Sequence, residues 1–328
     1  MMLAILYKNK TVWSHAGSMG SMAVLFVMAV QLVAPVAMAG APVGQRTYAT
    51  PQEAVKALIC AVRDDKDSEL AAILGPDSLD IISSGDRVAD KNGRERFLRI
   101  YEEKNSLRPE GYGKMVLYIG SKGYPFPIPI VQQGTIWFFD TKAGKEEILC
   151  RRIGRNELHT IEVLHAYTVA QREYAAIDHN GDGVPEFARR LISSEGKKDG
   201  LYWKAKKGEE ESPFGPLIAK ATQAGYAGRL NNNDSEPFYG YYFKILTSQG
   251  AHADGGVFDY VVNGKMILGF ALVAYPAKYG SSGIMTFIVN QAGVIYEKDL
   301  GENTSGAAAM TLYDPDKTWK KYKEAPGQ

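Results

Sequence analysis

The spacing of apolar residues in the first half of the chain predicts helices followed by strands. Thr50-Pro51-Gln52-Glu53 has the composition of a helix start, with Thr50 at the N-cap and Glu53 placed for a capping box. The apolar residues that follow have the spacing of one buried helical face: Val55, Leu58, Ile59 and Val62. Shorter helices are predicted around residues 68–74 and 94–101.

From Lys114 onwards the pattern changes to short β-type runs separated by Gly, Pro and Ala-Gly. Four strands are predicted in KMVLYIG, PFPIPIVQQG, TIWFFDT and EEILCRR. Helices followed by an antiparallel meander indicate an α+β domain over residues 40–155, with helices on one face of a curved sheet. We expect a cystatin-like or nuclear-transport-factor-like cone.

The second half repeats this order. Residues 156–175, NELHTIEVLHAYTVAQREYA, contain no Pro or Gly and carry an apolar stripe, so they predict a long helix. Strands are predicted in FYGYYFKIL, VFDYVV, KMILGFALVAYP, TFIVN and VIYEKDL. Asn263-Gly264 predicts a tight hairpin between two of them, and residues 290–293 predict another. These elements indicate a second α+β domain over residues 156–328.

The N-terminal residues have the layout of a secretory signal peptide. Lys8 and Lys10 precede an apolar run from Met22 to Val36, which ends in the small-x-small sequence at residues 37–39. We place a signal peptide at residues 1–39, with cleavage before Gly40 and a periplasmic or secreted product. The alternative is an uncleaved membrane anchor, although a span needs ~20 apolar residues. No later segment predicts a transmembrane helix in the mature chain.

Charge and cysteine content narrow the class of protein further. Cleavage at this point removes two lysines and leaves 36 basic and 37 acidic residues. This balance gives no electrostatic footprint for nucleic acid or an anionic membrane. In an oxidising compartment, Cys60 and Cys150 predict one disulfide bond, from the opening helix to the last strand of the first domain. The alternative is two separate buried thiols.

An acidic loop follows the long helix of the second half. In DHNGDGVPEFA, Asp178, Asn180 and Asp182 stand at alternate positions and Gly183 follows, as in the first half of an EF-hand calcium loop. The backbone carbonyl of Val184 and the side chain of Glu186 complete the predicted ligand set. Arg189 stands where the bidentate Glu of a full EF-hand would be. We therefore expect calcium as a weakly bound structural ion. The alternative is a tight turn in which Asp178 and Asp182 bond to nearby backbone N–H groups.

Three other groups of residues contain side chains that take part in catalysis or anion binding in other proteins. The run KYGSSG from Lys278 to Gly283 brings together a lysine and two serines, but its glycines favour a turn over acyl-transfer chemistry. His252 has Asp254 and Asp259 as possible orienting partners. Residues 151–155 contain three arginines, which we interpret as solvated charges that neutralise nearby glutamates rather than as an anion site. None of these groups forms a recognisable catalytic motif.

Long runs of the chain resemble a known family. GYPFPIPIV, DHNGDGVPEFA, FYGYYFKIL and DYVVNGKMILGFALVAYPAKYGSSGIMTFIVNQAGVIYEKDLG resemble the uncharacterised bacterial exported family of domain of unknown function 2950. YAAIDHNGDGVPEFA after a long helix is also similar to the soluble heads of type II secretion pseudopilins, some of which bind calcium in a loop. The pseudopilin resemblance implies a helix packed on a small antiparallel sheet, and neither resemblance implies an activity.

Two functions from different classes agree with these observations. The first, which we favour, is an exported non-catalytic scaffold or binding module of the cell envelope, whose partner is an envelope protein or a surface ligand. The second is an envelope hydrolase that uses a cleft between the two domains. A closed surface with an exposed apolar patch would favour the first function, and a deep polar cleft would favour the second.

Overall fold

The first half of the chain begins with helices, as its apolar spacing predicts. The computed structural model describes residue 41 and residues 43–206, 208–226, 236–302 and 304–323. The α-helices within the described residues are α1 (Pro51–Arg63), α2 (Asp67–Leu74), α3 (Leu79–Ile82), α4 (Arg87–Glu103), α5 (Thr141–Tyr174), α6 (Gly215–Gln223) and α7 (Thr304–Ala308). The predicted signal peptide and its cleavage site lie outside the described residues.

Side-chain caps fix the starts of the two longest helices before α5. The Thr50 hydroxyl accepts the backbone N–H of Glu53 at 3.2 Å, and the Glu53 carboxylate accepts the N–H of Ala49 at 3.2 Å. Asp86 caps α4 by accepting the N–H of Ala89 at 2.9 Å. Both caps satisfy N–H groups that have no partner inside the helix.

An antiparallel sheet follows these helices. Its strands are β1 (Asn105–Pro109), β2 (Lys114–Ile119), β3 (Tyr124–Pro125), β4 (Ile130–Gln133) and β5 (Ile136–Phe139), in the order β1-β2-β4-β5 with β3 paired to β2. The register places Leu107 opposite Leu117 and Ile130 opposite Phe139, so these side chains share one face. That face packs against Leu58 and the other buried residues of α1 and α2, which forms the first core.

The segment EEILCRR is helical, and the strand predicted there is wrong. It belongs to α5, which runs without a break through 34 residues from Thr141 to Tyr174. Asp140 caps its start by accepting the N–H of Ala143, and Glu147 forms an ion pair with Arg151 one turn later. These helical signals outweigh the short apolar run Ile148-Leu149-Cys150. The predicted domain boundary between residues 155 and 156 therefore falls inside a helix.

The second half contains a larger antiparallel sheet. Its strands are β6 (Tyr241–Leu246), β11 (Ala271–Pro276), β12 (Met285–Asn290), β13 (Tyr296–Asp299) and β15 (Lys320–Lys321), in the order β15-β13-β12-β11-β6. Shorter strands lie beside it: β7 (Ser248–Gln249), β8 (Phe258–Asp259), β9 (Val261–Val262), β10 (Lys265–Met266) and β14 (Leu312–Tyr313). The hairpin predicted at Asn263-Gly264 joins β9 to β10, and both turn residues have positive φ, 50° and 79°.

Helix α5 contributes to both cores. Ile148 near its start packs against the first core, whereas residues from Ile161 onwards belong to the second core, under the larger sheet. Tyr167 is fully buried there and donates a hydrogen bond from its hydroxyl to the carbonyl of Ala271 at 3.1 Å. All described residues belong to one compact unit. The α+β class is confirmed, and the division into two domains stays a prediction.

None of the helices in the described ranges has the length and apolar content needed to cross a membrane.

Two glycines of α5 test how closely this helix packs on the first half. A Cβ at Gly144 would lie 2.4 Å from the carbonyl oxygen of Pro127, whereas a Cβ at Gly154 would meet no atom within 4 Å. We predict that Gly144→Ala lowers the free energy of unfolding by about 1–3 kcal/mol, because the backbone must move apart.

Gly154→Ala is the matched control. It should raise the free energy of unfolding by up to about 1 kcal/mol, since alanine is the better helix former. Chemical denaturation of both variants measures the two effects. If Gly144→Ala stabilises the protein as much as Gly154→Ala does, the close approach of α5 to Pro127 is wrong.

Candidate functional site

The acidic loop after α5 is held together by its own side chains. The Asp178 carboxylate accepts three backbone N–H groups, from Asn180 at 3.2 Å, Gly181 at 2.9 Å and Gly183 at 2.7 Å. These bonds, with that from Gly183 the strongest, hold the pKa of Asp178 below its usual range. These bonds give the loop the geometry of a tight acidic turn.

The other predicted calcium ligands also have partners within the loop. Asn180 accepts the N–H of Asp182 at 3.1 Å and donates its side-chain amide to Glu186 at 3.1 Å. Asp182 accepts the N–H of Val184 at 3.1 Å and forms an ion pair with Lys265 of β10. The Lys265 ammonium lowers the pKa of Asp182, and it already supplies a cation at this end of the loop.

Calcium binding by these oxygens stays a prediction. Within the described ranges, no group of three or more His, Cys, Asp or Glu side chains is placed to hold a metal ion. The sequence Asn231-Asn232-Asn233-Asp234, which we regard as a source of a further ligand, lies outside the described residues. An aromatic contact also anchors the loop: the His179 ring stacks on Tyr174 with centroids 4.2 Å apart.

The predicted disulfide bond is not formed. Cys60 and Cys150 are both free thiols, and both are exposed. Cys150 lies on α5 instead of a strand, and Cys60 is on the outer face of α1, between the buried residues Ile59 and Ala61. Neither the disulfide bond nor the alternative of two buried thiols describes this structure.

A polar junction joins the two cores, and it consists of Asp80, Lys145, Arg152, Lys278 and Ser281. The Asp80 carboxylate pairs with Lys278 at 2.7 Å and with Lys145 at 3.0 Å. The backbone carbonyl of Asp80 accepts hydrogen bonds from Arg152 at 2.6 Å and from the Ser281 hydroxyl at 2.9 Å. One residue of α3 thus binds α5 and the 278–283 turn together.

The serines of this turn are committed to the fold. Ser281 is 1% exposed and Ser282 is fully buried. The Ser282 hydroxyl donates to the Lys278 carbonyl at 3.1 Å and accepts the Lys278 N–H at 2.9 Å. Because the Lys278 ammonium is paired with Asp80, it is not available as a base for either serine. The turn does not have the geometry of a serine-lysine catalytic pair.

Buried hydrogen bonds extend the contact between the halves. Asp86, 1% exposed, accepts the Tyr226 hydroxyl at 2.7 Å and the Gly240 N–H at 2.8 Å. Burial raises the pKa of Asp86, while the N–H of Ala89 and the hydroxyl of Tyr226 act in the opposite direction. Sequence reasoning missed Asp86, although its position before a helix is a recognisable N-cap signal.

His252 has a different partner from those the sequence suggested. Its ring Nδ1 lies 3.0 Å from both carboxylate oxygens of Asp314, and its backbone N–H donates to Asp314 at 2.8 Å. Asp254 and Asp259 do not orient the ring. Asp314 also borders a groove with a volume of about 290 Å³. The groove is lined mainly by apolar residues: Ile288, Gly306, Ala309, Met310, Thr311, Leu312, Asp314 and Trp319.

The carboxylate of Asp80 provides a pH-dependent test of the polar junction. Lys278 and then Lys145 lower its pKa, so its stabilising effect is present above the unfolded pKa of ~3.9 and is lost as the pH falls through the lower folded value. We predict that Asp80→Asn costs about 0.5–1 kcal/mol at pH 7, because solvent screens this partly exposed group. The difference from the wild-type protein should shrink below pH ~4.

Asp77→Asn serves as the control, since Asp77 is exposed and forms no ion pair among the described residues. Urea unfolding at pH 7 and at pH 3 measures both variants. An equal loss of stability for Asp80→Asn and Asp77→Asn at pH 7 would contradict the role given to Asp80.

The comparisons with known proteins give a family without an assigned activity. Residues 45–322 match the family model described as "Protein of unknown function (DUF2950)". No curated protein and no solved structure matches the chain. The cystatin-like, nuclear-transport-factor-like and pseudopilin-head shapes therefore stay predictions. Since the match covers most of its length, the chain belongs to the DUF2950 family of proteins of unknown function.

Proposed function

We propose that this chain is an exported, non-catalytic scaffold or binding module of the cell envelope, located in the periplasm or secreted. The polar junction carries the proposal. Its serines, lysines and carboxylate bond to one another where the two cores meet, so they leave no free nucleophile or base at that place. A hydrolase acting between the cores would need these same groups to face a substrate.

Exposed apolar side chains support a binding role. Val257 is 74% exposed and Leu268 is 52% exposed. They lie on neighbouring segments, because the carbonyl of Tyr260 accepts the N–H groups of Ile267 and Leu268. Apolar groups on adjacent surface segments are favourable contacts for a protein partner. The partner is an envelope protein or a surface ligand, and the charge balance of the mature chain argues against nucleic acid.

The export part of the proposal is tested on the full chain. Expression with the native N-terminus, followed by cell fractionation and intact mass spectrometry, should give a mature protein that begins at Gly40. Recovery of the full-length chain from the membrane fraction would contradict export by cleavage.

The non-catalytic part is tested separately on the same purified protein. A fluorophosphonate probe, which labels activated serines, should leave the protein unlabelled at Ser281 and Ser282 because both hydroxyls are buried. Labelling that disappears in Ser281→Ala would support the hydrolase alternative instead.

We propose in addition that the acidic loop binds calcium weakly as a structural ion. Asp178, Asn180 and Asp182 supply side-chain oxygens, the carbonyl of Val184 adds another, and Glu186 lies within hydrogen-bonding distance of Asn180. Without a twelfth-position Glu, the expected affinity is in the range of ~10⁻⁴ to 10⁻³ M. Lys265 would compete with the ion for Asp182, which also favours weak binding.

Millimolar calcium should raise the melting temperature of the mature protein, and Asp182→Ala should abolish the rise. Lys265→Met is the sharper variant, because it removes the competing cation and should enlarge the rise. Differential scanning calorimetry with calcium or with magnesium at equal ionic strength measures these effects. If calcium raises the melting temperature of neither the wild-type protein nor Lys265→Met, the loop is a turn and the predicted calcium site is wrong.

A further inference from the structure

Strand β14 lies at the end of a small sheet, and one of its edges is unpaired. The sheet has the order β14-β7-β8, and no strand of the described residues pairs with β14 on the side away from β7. β14 runs parallel to β7, with Leu312 opposite Ser248 and Tyr313 opposite Gln249. An unpaired edge presents backbone N–H and C=O groups that can pair with another chain.

The hydrogen bonds of Tyr313 show which peptide groups point to the free edge. The carbonyl of Tyr313 accepts the N–H of Gly250 at 2.9 Å, so the peptide groups of Tyr313 point towards β7. Along a strand these groups point alternately to one side and the other. The N–H and C=O of Leu312 and the N–H of Asp314 therefore point away from β7. Within the described ranges, these three groups form no backbone hydrogen bond on that side.

The groove of about 290 Å³ runs along this free edge. It is lined by Leu312 and Asp314, by Ile288 of β12 and by Trp319, and none of the residues that line it belongs to β7. The groove therefore lies on the unpaired side of β14. An apolar cavity of ~150 Å³ is large enough for benzene, so this groove has room for one or two apolar side chains.

The groove has one charged side chain at its border. Asp314 is the only ionisable residue among those that line it, and 29% of its side chain is exposed. The rest of the lining is mainly apolar and includes Leu312, which is 42% exposed. A carboxylate beside an apolar groove favours a basic over an acidic residue in a chain that lies there.

We propose that an extended peptide segment of a partner protein adds a strand to the free edge of β14, with apolar side chains in the groove and a lysine or arginine beside Asp314. This inference rests on the proposed binding function and names the kind of segment that is bound. One residue of the segment pairs with the N–H and C=O of Leu312, as strands added to a sheet edge do.

The burial of β14 determines how the side chains of the segment are placed. Leu312 is exposed and Tyr313 is buried, so the residue opposite Leu312 has its side chain on the exposed face, near Asp314. The neighbours of that residue point to the opposite face, towards the groove and Ile288. The expected segment therefore has apolar residues on both sides of a basic one.

The proposal is tested with the mature protein and a synthetic peptide, Thr-Phe-Lys-Phe-Thr-Val, blocked at both ends. In isotope-labelled protein, the amide resonances of Leu312 and Asp314 should shift saturably as the peptide is added up to about 1 mM. The N–H groups of these two residues should also exchange with solvent more slowly, because they become hydrogen-bonded. The absence of a saturable shift at both residues overturns the proposal.

Two altered peptides separate strand addition from simple apolar binding. N-methylation of the lysine residue removes the N–H that pairs with the carbonyl of Leu312, and should weaken binding about tenfold. Replacing the lysine with glutamate should weaken binding about 2–5-fold, because Asp314 then repels the side chain. If the N-methylated peptide binds as tightly as the parent peptide, no strand is added. If the glutamate peptide binds more tightly, the role given to Asp314 is wrong.

Ala309→Trp tests the groove itself. Ala309 is exposed and lines the groove, so this variant should keep the wild-type melting temperature and bind the parent peptide at least about tenfold more weakly. Ala176→Trp is the matched control, because Ala176 is an exposed alanine outside the groove. Equal affinity of the two variants overturns the proposal. Export and the absence of catalysis do not enter these measurements, so a failure here is distinct from a failure of the proposed function.

Discussion

The hydrogen bonds from Arg152 to the end of α3 are the contact on which the arrangement of the two cores depends. The last carbonyl groups of a helix have no partner inside the helix, and they carry partial negative charge. Arg152 donates to two such carbonyls, those of Asp80 and Ile81, from the middle of α5. The guanidinium is thereby satisfied without a carboxylate of its own. Since α5 also reaches the second core, this contact fixes the helices of the first half relative to the larger sheet.

The hydrogen bonds of Arg152 also determine how the charged side chains near α3 pair with one another. Because carbonyl groups take the N–H donors of Arg152, the Asp80 carboxylate is free to pair with Lys278 and Lys145. Those pairs draw the 278–283 turn against α3 and bury its serines. The closed polar junction therefore results from the partners that Arg152 and Asp80 take.

Sequence reasoning succeeded where the determining interaction is local. Thr50 and Asn263-Gly264 specify a helix start and a hairpin within a few residues, and both were predicted from those residues alone. The strand prediction for EEILCRR failed because an apolar run of three residues fits a strand as well as it fits one face of a helix. The ion pair between Glu147 and Arg151 was the available helical signal. The disulfide prediction then failed with it, since it placed Cys150 on a strand.

The candidate sites depend on contacts that no local pattern contains. Lys278 and Asp80 are 198 residues apart in the chain, and His252 and Asp314 are 62 apart. The periodicity of apolar residues identifies which face of a helix or strand is buried. It does not indicate which polar group that face will meet on the element packed against it. The three arginines at residues 151–155 show this limit well. Arg151 does pair with a glutamate, as expected, whereas Arg152 donates to the backbone carbonyls of α3.

Net charge is a poor guide to binding in such a protein. The full chain is nearly neutral, with 38 basic and 37 acidic residues, and this balance gives no electrostatic footprint for nucleic acid. Attraction for a small ion, however, depends on the charges within about a Debye length, ~8 Å at physiological ionic strength. At the polar junction the Asp80 carboxylate is already paired with Lys278 and Lys145, so those two cations largely cancel its field. The potential at a given place on a neutral molecule therefore depends on which partners the acidic residues have and not on their number.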